Sequence, residues 1–503
     1  MLESSAQVAR RFAFCGVHDA RVESPLVTVK TRIAPSPTGD PHIGTAYQAL
    51  FNYVFAKQNG GHFIVRIEDT DRTRYQEASE RRILEMISWI GLEPDESPLV
   101  GGPSGPYVQS ERIETHQRYA HELLARGAAY RSFETPEDLE AMRAANRAQG
   151  RQEAGYDRRD RALSFEESES RARSGDPFVI RLKAPLDGET VVNDRLRGPV
   201  RFANADLDDK VLLKSDGFPT YHLAAMVDDH LMGVTHVIRA EEWLVSTPLH
   251  VLILRGLGWA EPEWIHTPLL RNPDHSKLSK RKMDTSVDSY RGQGILPEAL
   301  LNYLGTMGWS MPDGREIFSV QDMVEHFSWD RVSLGGPVFD LERLIWLNGK
   351  YIREIIPTEE LARRCAPFLT AAGLDAGDEE YVLAVVTTLR ERFKLLSELP
   401  EAARYFFEEP TPDLKAAAKL AEGAALLKPL LELLTAEADW SHEGLEPKLR
   451  ELAVARGAKF GALMQPLRAA ITGRLESPGL FEVMATLGRE RVLARVRRAV
   501  AST

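Results

Sequence analysis

"LVTVKTRIAPSPTGDPHIGTAYQALFNYVFAKQNGGHFIVRIED", residues 26–69, carries a complete strand-helix-strand unit and decides the fold class. "LVTVKTRIA" is a short apolar-rich run suited to a buried strand, and the Pro and Gly of "PSPTGDP" mark the loop that follows it. Asp40 is a good N-cap and Pro41 fits the first helical position. Ile43, Tyr47, Leu50 and Val54 then recur at helical spacing until Gly60 and Gly61 stop the helix. "HFIVRIED" returns as the next strand. Two strands joined by a crossover helix run parallel, with a right-handed connection, so the unit predicts an α/β fold built on a parallel sheet.

The same rhythm resumes much later, in "THVIRAEEW", "STPLHVLILRGLGW" and "EWIHTPLL". Between the two blocks the texture shifts to mixed helices and strands, including the charged stretch "AMRAANRAQGRQEAGYDRRDRAL". Residues 28–106 and 222–271 are therefore expected to form one Rossmann-type parallel-sheet domain, interrupted by an α+β insertion over 107–221. Residues 272–356 form a further domain. From 357 to 503 the chain is rich in Ala, Leu, Glu and Arg at helical periodicity, which predicts an all-α half. Residues 1–27 have scattered charges and no continuous apolar core, and are expected to be a poorly ordered extension rather than a secretory signal.

With 503 residues the chain is too long for one core, and 43% apolar with 27% charged residues is the composition of a folded protein. A formal charge of -11 argues against coating nucleic acid by bulk electrostatics, so any such contact must come from local basic patches. Only Cys15 and Cys365 are present, too few for a disulfide framework or a four-cysteine zinc site, which suits a reducing cytoplasm. No apolar run approaches the ~20 residues of a membrane span.

Ligands of open parallel sheets bind at the carboxyl ends of the strands. Three such ends here carry Arg32, Glu68 and Arg239, the last followed by Glu241 and Glu242. Such polar residues are not required by apolar packing. The start of the first helix offers unpaired amides and positive dipole character to an anion. His42 in its first turn can donate to phosphate, and Gly44 has no side chain to block a flat base from the helix backbone. This is neither a Walker loop nor a dinucleotide fingerprint, and it has no lysine. Cations arrive instead in "HSKLSKRK", His275–Lys282, where Lys277, Lys280, Arg281 and Lys282 stand with Ser276 and Ser279 just after the last strand of the resumed sheet. Taken alone, a basic run is more often a solvated face or a nonspecific RNA contact.

"HIGT" and "KLSKR" together resemble the two signature motifs of class I aminoacyl-tRNA synthetases. "RIAPSPTGDPHIGTAYQALFNY", "FIVRIEDTDRTR", "IRAEEWLVSTPLH" and "NYLGTMGWSMPDGREIF" are similar to the bacterial-type glutamyl-tRNA synthetase family, and the resemblance runs from about residue 28 to the C-terminus. It implies an ATP-dependent glutamate-tRNA ligase in the cytoplasm. ATP is contacted by His42, Gly44, Glu242, Lys277, Ser279 and Lys280, with His42, Lys277 and Lys280 acting in catalysis, and Mg2+ accompanies the nucleotide. Glutamate is held by Arg32, Ser36, Glu68, Tyr221 and Arg239: the arginines take its side-chain carboxylate and Glu68 its ammonium. Glutamine is rejected because an amide cannot balance the arginine charge. Structural pairing of the arginines with Glu68, Asp69 or Asp71 is the alternative reading of those residues.

By the same resemblance the insertion grips the tRNA acceptor end, 272–356 contact the stem, and Arg392 in "LRERFKLL" and Arg468 in "QPLRAAITG" read the anticodon of tRNA(Glu). The expected protein is a monomer with no membrane partner. Two departures matter. Some relatives carry a polar residue where "YHLAAMVDD" has Ala225, and some build a zinc site in the insertion, whereas "YRSFETPEDLE" has no cysteine. No structural zinc and no protein-held metal are expected. A glutaminyl-tRNA synthetase is the nearest rival; that family usually attaches β-barrel anticodon domains, which a helical C-terminal half opposes. A binding protein that has lost catalysis is disfavoured by the intact ATP motifs.

Overall fold

The computed structural model describes residues 28–71, 73–148, 155–278 and 284–502; the expectations for residues 1–27 and for Ser279, Lys280, Arg281 and Lys282 lie outside the described residues. The strands are β1 (Lys30–Ile33), β2 (His62–Val65), β3 (Ala129–Ser132), β4 (Val179–Leu182), β5 (Glu189–Asp194), β6 (Gly198–Ala203), β7 (Val211–Leu213), β8 (His236–Ala240) and β9 (Glu263–Thr267).

β1 pairs with β2 in parallel, Lys30 opposite His62 through Ile33 opposite Val65, and β8 pairs with β9 in the same sense. The two pairs adjoin where Thr235 N–H donates to Lys30 O at 2.9 Å. The two blocks of sequence thus meet in one parallel layer. The first helix, Ile43–Gln58, buries residues on almost all sides: Ile43, Ala46, Tyr47, Leu50, Phe51, Val54 and Phe55. A helix apolar all round must be covered on both faces. One face lies on the sheet; the other meets helices Pro297–Thr306 and Val320–His326. There Tyr47 Oη donates to Met307 O at 2.8 Å, and Phe51 and Phe55 pack on Phe327 and Trp329. The 272–356 region therefore shares a core with the sheet.

The expected cap is displaced by two residues. His42, not Asp40, is the N-cap of the first helix, with φ -90° and ψ 141°, and Pro41 precedes the helix. Asp40 instead pairs with Arg82. Asp40 has the better side chain for a cap, but the extended chain at His42 puts the imidazole over the first free amide.

A second difference concerns the insertion. Its sheet β3-β4-β7 is antiparallel and sits with helices Ile113–Ala125, Pro136–Ala148 and Phe165–Arg173. The β5–β6 hairpin, however, although inside 107–221 by sequence, joins the parallel layer: Asp194 of β5 pairs with Trp264 of β9. The edge of β9 offers unpaired backbone groups, and the hairpin covers them. From Thr358 onward the described residues are helical and connecting segments only, as expected.

Candidate active site

The helix start is organised around His42. Its Nδ1 accepts from Gly44 N–H at 2.9 Å, which leaves the proton of the neutral ring on Nε2, where it can be donated. A Cβ on Gly44 would come 3.0 Å from that same Nδ1, so the glycine keeps the cap geometry open. Ile43 N–H donates to Thr285 O at 2.8 Å, and Val287 N–H to Pro41 O at 3.0 Å. The chain that follows the basic run is thus bonded on both sides of His42. On the preceding side, Lys277 pairs with Glu242, and Leu278 N–H donates to Leu270 O at 3.1 Å. The ends of β8 and β9 reach the same place, since Gln48 in the first helix bonds Thr267 Oγ1 at 2.9 Å. His42, Gly44, Glu242 and Lys277 thereby border one end of the sheet; Ser279 and Lys280 lie outside the described residues.

Beside it is a cluster of buried charge. Arg32 grips Asp229 with two hydrogen bonds of 3.1 Å each. Asp229 also accepts from Arg66 at 2.8 Å, while Arg112 donates to Asp228 at 2.6 Å. Arg66 and Gln109 both donate to Oε1 of Glu68. Burial lifts the Glu68 carboxyl above its usual range against the opposing pull of Arg66. The loop carrying exposed Ser36 is tied to this group, because Glu68 N–H donates to Pro35 O at 3.0 Å. Arg32, Arg66 and Arg112 are balanced by Glu68, Asp228 and Asp229. The structural partner of Arg32 is therefore Asp229, not the nearby acids its sequence neighbourhood suggested.

Arg239 is different. Only 6% exposed, it donates from Nε to His266 Nε2 at 3.1 Å, from Nη1 to Tyr221 Oη at 2.9 Å and His250 Nδ1 at 3.2 Å, and from Nη2 to Thr247 Oγ1 at 2.8 Å. Every one of these partners is uncharged. Burial pushes the guanidinium down from its ordinary value, with the Arg32 charge acting the same way. Tyr221 is partly buried beside Arg239, Glu68 and Arg32, so four of the five residues named from sequence for the amino acid come together at this end of the sheet. Ala225, by contrast, is wholly buried in the core.

Three histidines escaped sequence reasoning. His222 Nδ1 lies 3.1 Å from His250 Nε2, and His266 Nδ1 lies 2.7 Å from Asp194 Oδ2. Their only signal was position, each at a helix start or strand end of the resumed sheet. Burial lowers His222 and His266 to about 4 and takes His250 well below its usual range, with Arg239 adding to each effect. Each ring is thus neutral in the fold where the unfolded chain, with a value of 6.5, binds a proton. The unfolded state holds more protons in that window, so stability is expected to fall as pH drops from 6.5 toward 4, by up to about 1.4 kcal/mol per pH unit for each ring. His230 and His236, also lowered by burial, act in the same direction, and Glu68 and Glu80, both raised by burial, in the opposite one. Urea unfolding at about pH 7, 6 and 5 checks this; an unfolding free energy that does not decline would mean the rings are charged in the fold.

In the C-terminal half, Arg392 and Arg468, far apart in sequence, line one cavity of about 430 Å³ with Met464, Gln465 and Ser477. Arg392 donates to Ser477 O at 3.3 Å and Arg468 to Pro478 O at 2.8 Å. Among the described residues, no cluster of His, Cys, Asp and Glu is arranged to hold a metal.

A family model described as "tRNA synthetases class I (E and Q), catalytic domain" matches residues 28–346, and one described as "Anticodon binding domain" matches residues 360–500. The glutamate-tRNA ligase of Thermus thermophilus is 59% identical over 474 residues, which is 94% of this chain and 100% of that relative. The glutamate-tRNA ligase of Deinococcus radiodurans is 50% identical over 477 residues, covering 93% of this chain and 98% of the relative. A crystal structure of a glutamate tRNA ligase from Elizabethkingia meningosepticum, in complex with its amino acid, superposes with a TM-score of 0.86 at 38% identity, covering 94% of this chain and 99% of the other. With the catalytic and anticodon models both matched, and such relatives aligned over nearly its whole length, this chain belongs to the class I tRNA synthetases, among the glutamate-tRNA ligases.

Proposed function

We propose that this ligase joins glutamate to tRNA(Glu) in two steps at the carboxyl ends of β1 and β8. In the first, an oxygen of glutamate's α-carboxylate attacks the α-phosphorus of ATP. The bond from that phosphorus to pyrophosphate breaks as the new one forms, giving glutamyl-adenylate. Charge grows on the phosphoryl oxygens during this step, and donors fixed in advance stabilise it best. His42, through Nε2–H, and the amides of the helix start supply such donors, with Lys277, Ser279 and Lys280 from the basic run and Glu242 beside the adenosine. ATP enters with Mg2+ carried on its phosphates. In the second step the 2′-hydroxyl of the terminal adenosine attacks the activated carbonyl, its proton is released, and AMP leaves.

The observation that carries this reading is Arg239, a buried guanidinium with only neutral partners. A carboxylate placed against it, with the ammonium group toward Glu68 and further polar contacts from Ser36, Tyr221 and Arg32, completes the charge balance. Glutamine offers no such charge. We further infer that 107–221 grips the acceptor end, 272–356 the stem and 357–503 the anticodon, where Arg392 and Arg468 face the bases. The proposed setting is a cytoplasmic monomer. Among the described residues no helix is long and apolar enough to cross a membrane.

The test is ATP/pyrophosphate exchange with glutamate or glutamine, without tRNA and with tRNA(Glu) or tRNA(Gln). Exchange is expected with glutamate and at background with glutamine; equal exchange with both amino acids overturns the pocket assignment. Charging is expected with tRNA(Glu) in preference to tRNA(Gln), and equal charging of both removes the discriminating role of Arg392.

A further inference from the structure

We propose that Asp194, carried by the β5–β6 hairpin, is a positioning residue for amino-acid selection: through His266 it holds Arg239 as a buried cation whose missing carboxylate is the one the substrate brings. The proposal rests on the functional reading above. Asp194 is 3% exposed, and its Oδ2 accepts from His266 N–H at 3.0 Å and lies 2.7 Å from His266 Nδ1. Its Oδ1 accepts from Leu196 N–H and Arg197 N–H, each at 3.0 Å.

An ionised carboxylate can only accept, so the His266 proton sits on Nδ1 and Nε2 presents a lone pair. That lone pair receives Arg239 Nε–H at 3.1 Å. In the other tautomer two N–H groups would face each other, and the guanidinium would have to turn away. The imidazole also acts as a spacer. A carboxylate touching Arg239 directly would hold it equally well, but would neutralise the charge that separates glutamate from glutamine. An uncharged ring, itself fixed by a distant carboxylate, holds the guanidinium in place and leaves its charge for the ligand. His250, backed by His222, serves the Nη1 side in the same uncharged way.

The experiment is pyrophosphate exchange with tRNA(Glu) present, comparing wild type with Asp194→Asn. Asn presents either an amide N–H or a weaker carbonyl toward His266. The glutamate KM is expected to rise roughly tenfold to a hundredfold while kcat and the ATP KM stay within about threefold. A companion pair separates tautomer control from loop support: His266→Phe keeps a ring without an acceptor, and His266→Gln restores an acceptor carbonyl. The Phe variant should match Asp194→Asn, and the Gln variant should recover most of the glutamate KM. The proposal is overturned if wild type activates glutamate but Asp194→Asn leaves its KM within about twofold, or if glutamate KM, ATP KM and kcat all worsen together. Should Asp194→Asn not fold, equal glutamate KM values for the two His266 variants overturn it. Failure of the wild type itself to activate glutamate would count against the functional reading instead.

Discussion

Replacing Arg239 with Gln is expected to lower kcat/KM for glutamate by about a thousandfold while leaving the ATP KM within about threefold. The substrate carboxylate would then enter a buried site whose remaining cation, Arg32, is already balanced by Asp229, and an uncompensated buried charge costs several kcal/mol. Gln keeps much of the length of the side chain and can still hydrogen-bond to Tyr221 or Thr247, so the change is mainly one of charge. The fold should not suffer. Burial already works against the Arg239 charge, as its lowered guanidinium value indicates, so removing that charge relieves a cost. A variant whose melting temperature holds or rises while glutamate activation is lost is the expected signature. Loss of stability in step with activity, or an unchanged glutamate KM, would remove Arg239 from amino-acid selection.

Converting Asp229 to Ala should destabilise the protein by about 3–5 kcal/mol, measured by urea unfolding near neutral pH. Asp229 is 3% exposed and accepts from both Arg32 and Arg66. Its removal leaves two guanidiniums inside the sheet end facing only Glu68 and Asp228. Arginine does not shed its proton to escape such a site. Adding Arg66→Met to Asp229→Ala should restore part of the loss, because an apolar side chain of similar length removes one stranded charge. A loss under about 1 kcal/mol for the single variant would mean water enters and solvates the arginines, and that the network is not a buried one.

The parallel sheet and the helical second half were legible from periodicity alone. Ile43, Tyr47, Leu50 and Val54 announce the first helix, and the same spacing placed Tyr47, Leu50 and Val54 in the core. The cap was misjudged because rankings of capping residues favour Asp, whereas His42 is fixed by its own contact with Gly44 and by backbone bonds to Thr285 and Val287. Arg32, Glu68 and Arg239 were nameable because polar residues at strand ends stand out against apolar runs, whereas Tyr221 was named only by resemblance to the family. Their partners were not. Asp229 lies 197 residues from Arg32, and Asp194 lies 72 from His266, in a stretch that composition assigned to a different domain.

By itself, then, the sequence determined the order of strands and helices, the two signature segments, and which strand ends carry charge, since these depend on local propensity and on spacing along the chain. Only the tertiary structure decided which arginine is neutralised by a carboxylate and which has neutral partners. That distinction rests on which carboxylate approaches which guanidinium after distant strands pair, and on how completely water is expelled around them. Arg32 meets Asp229 and is balanced; Arg239 meets two imidazoles and two hydroxyl-bearing side chains, and keeps its charge.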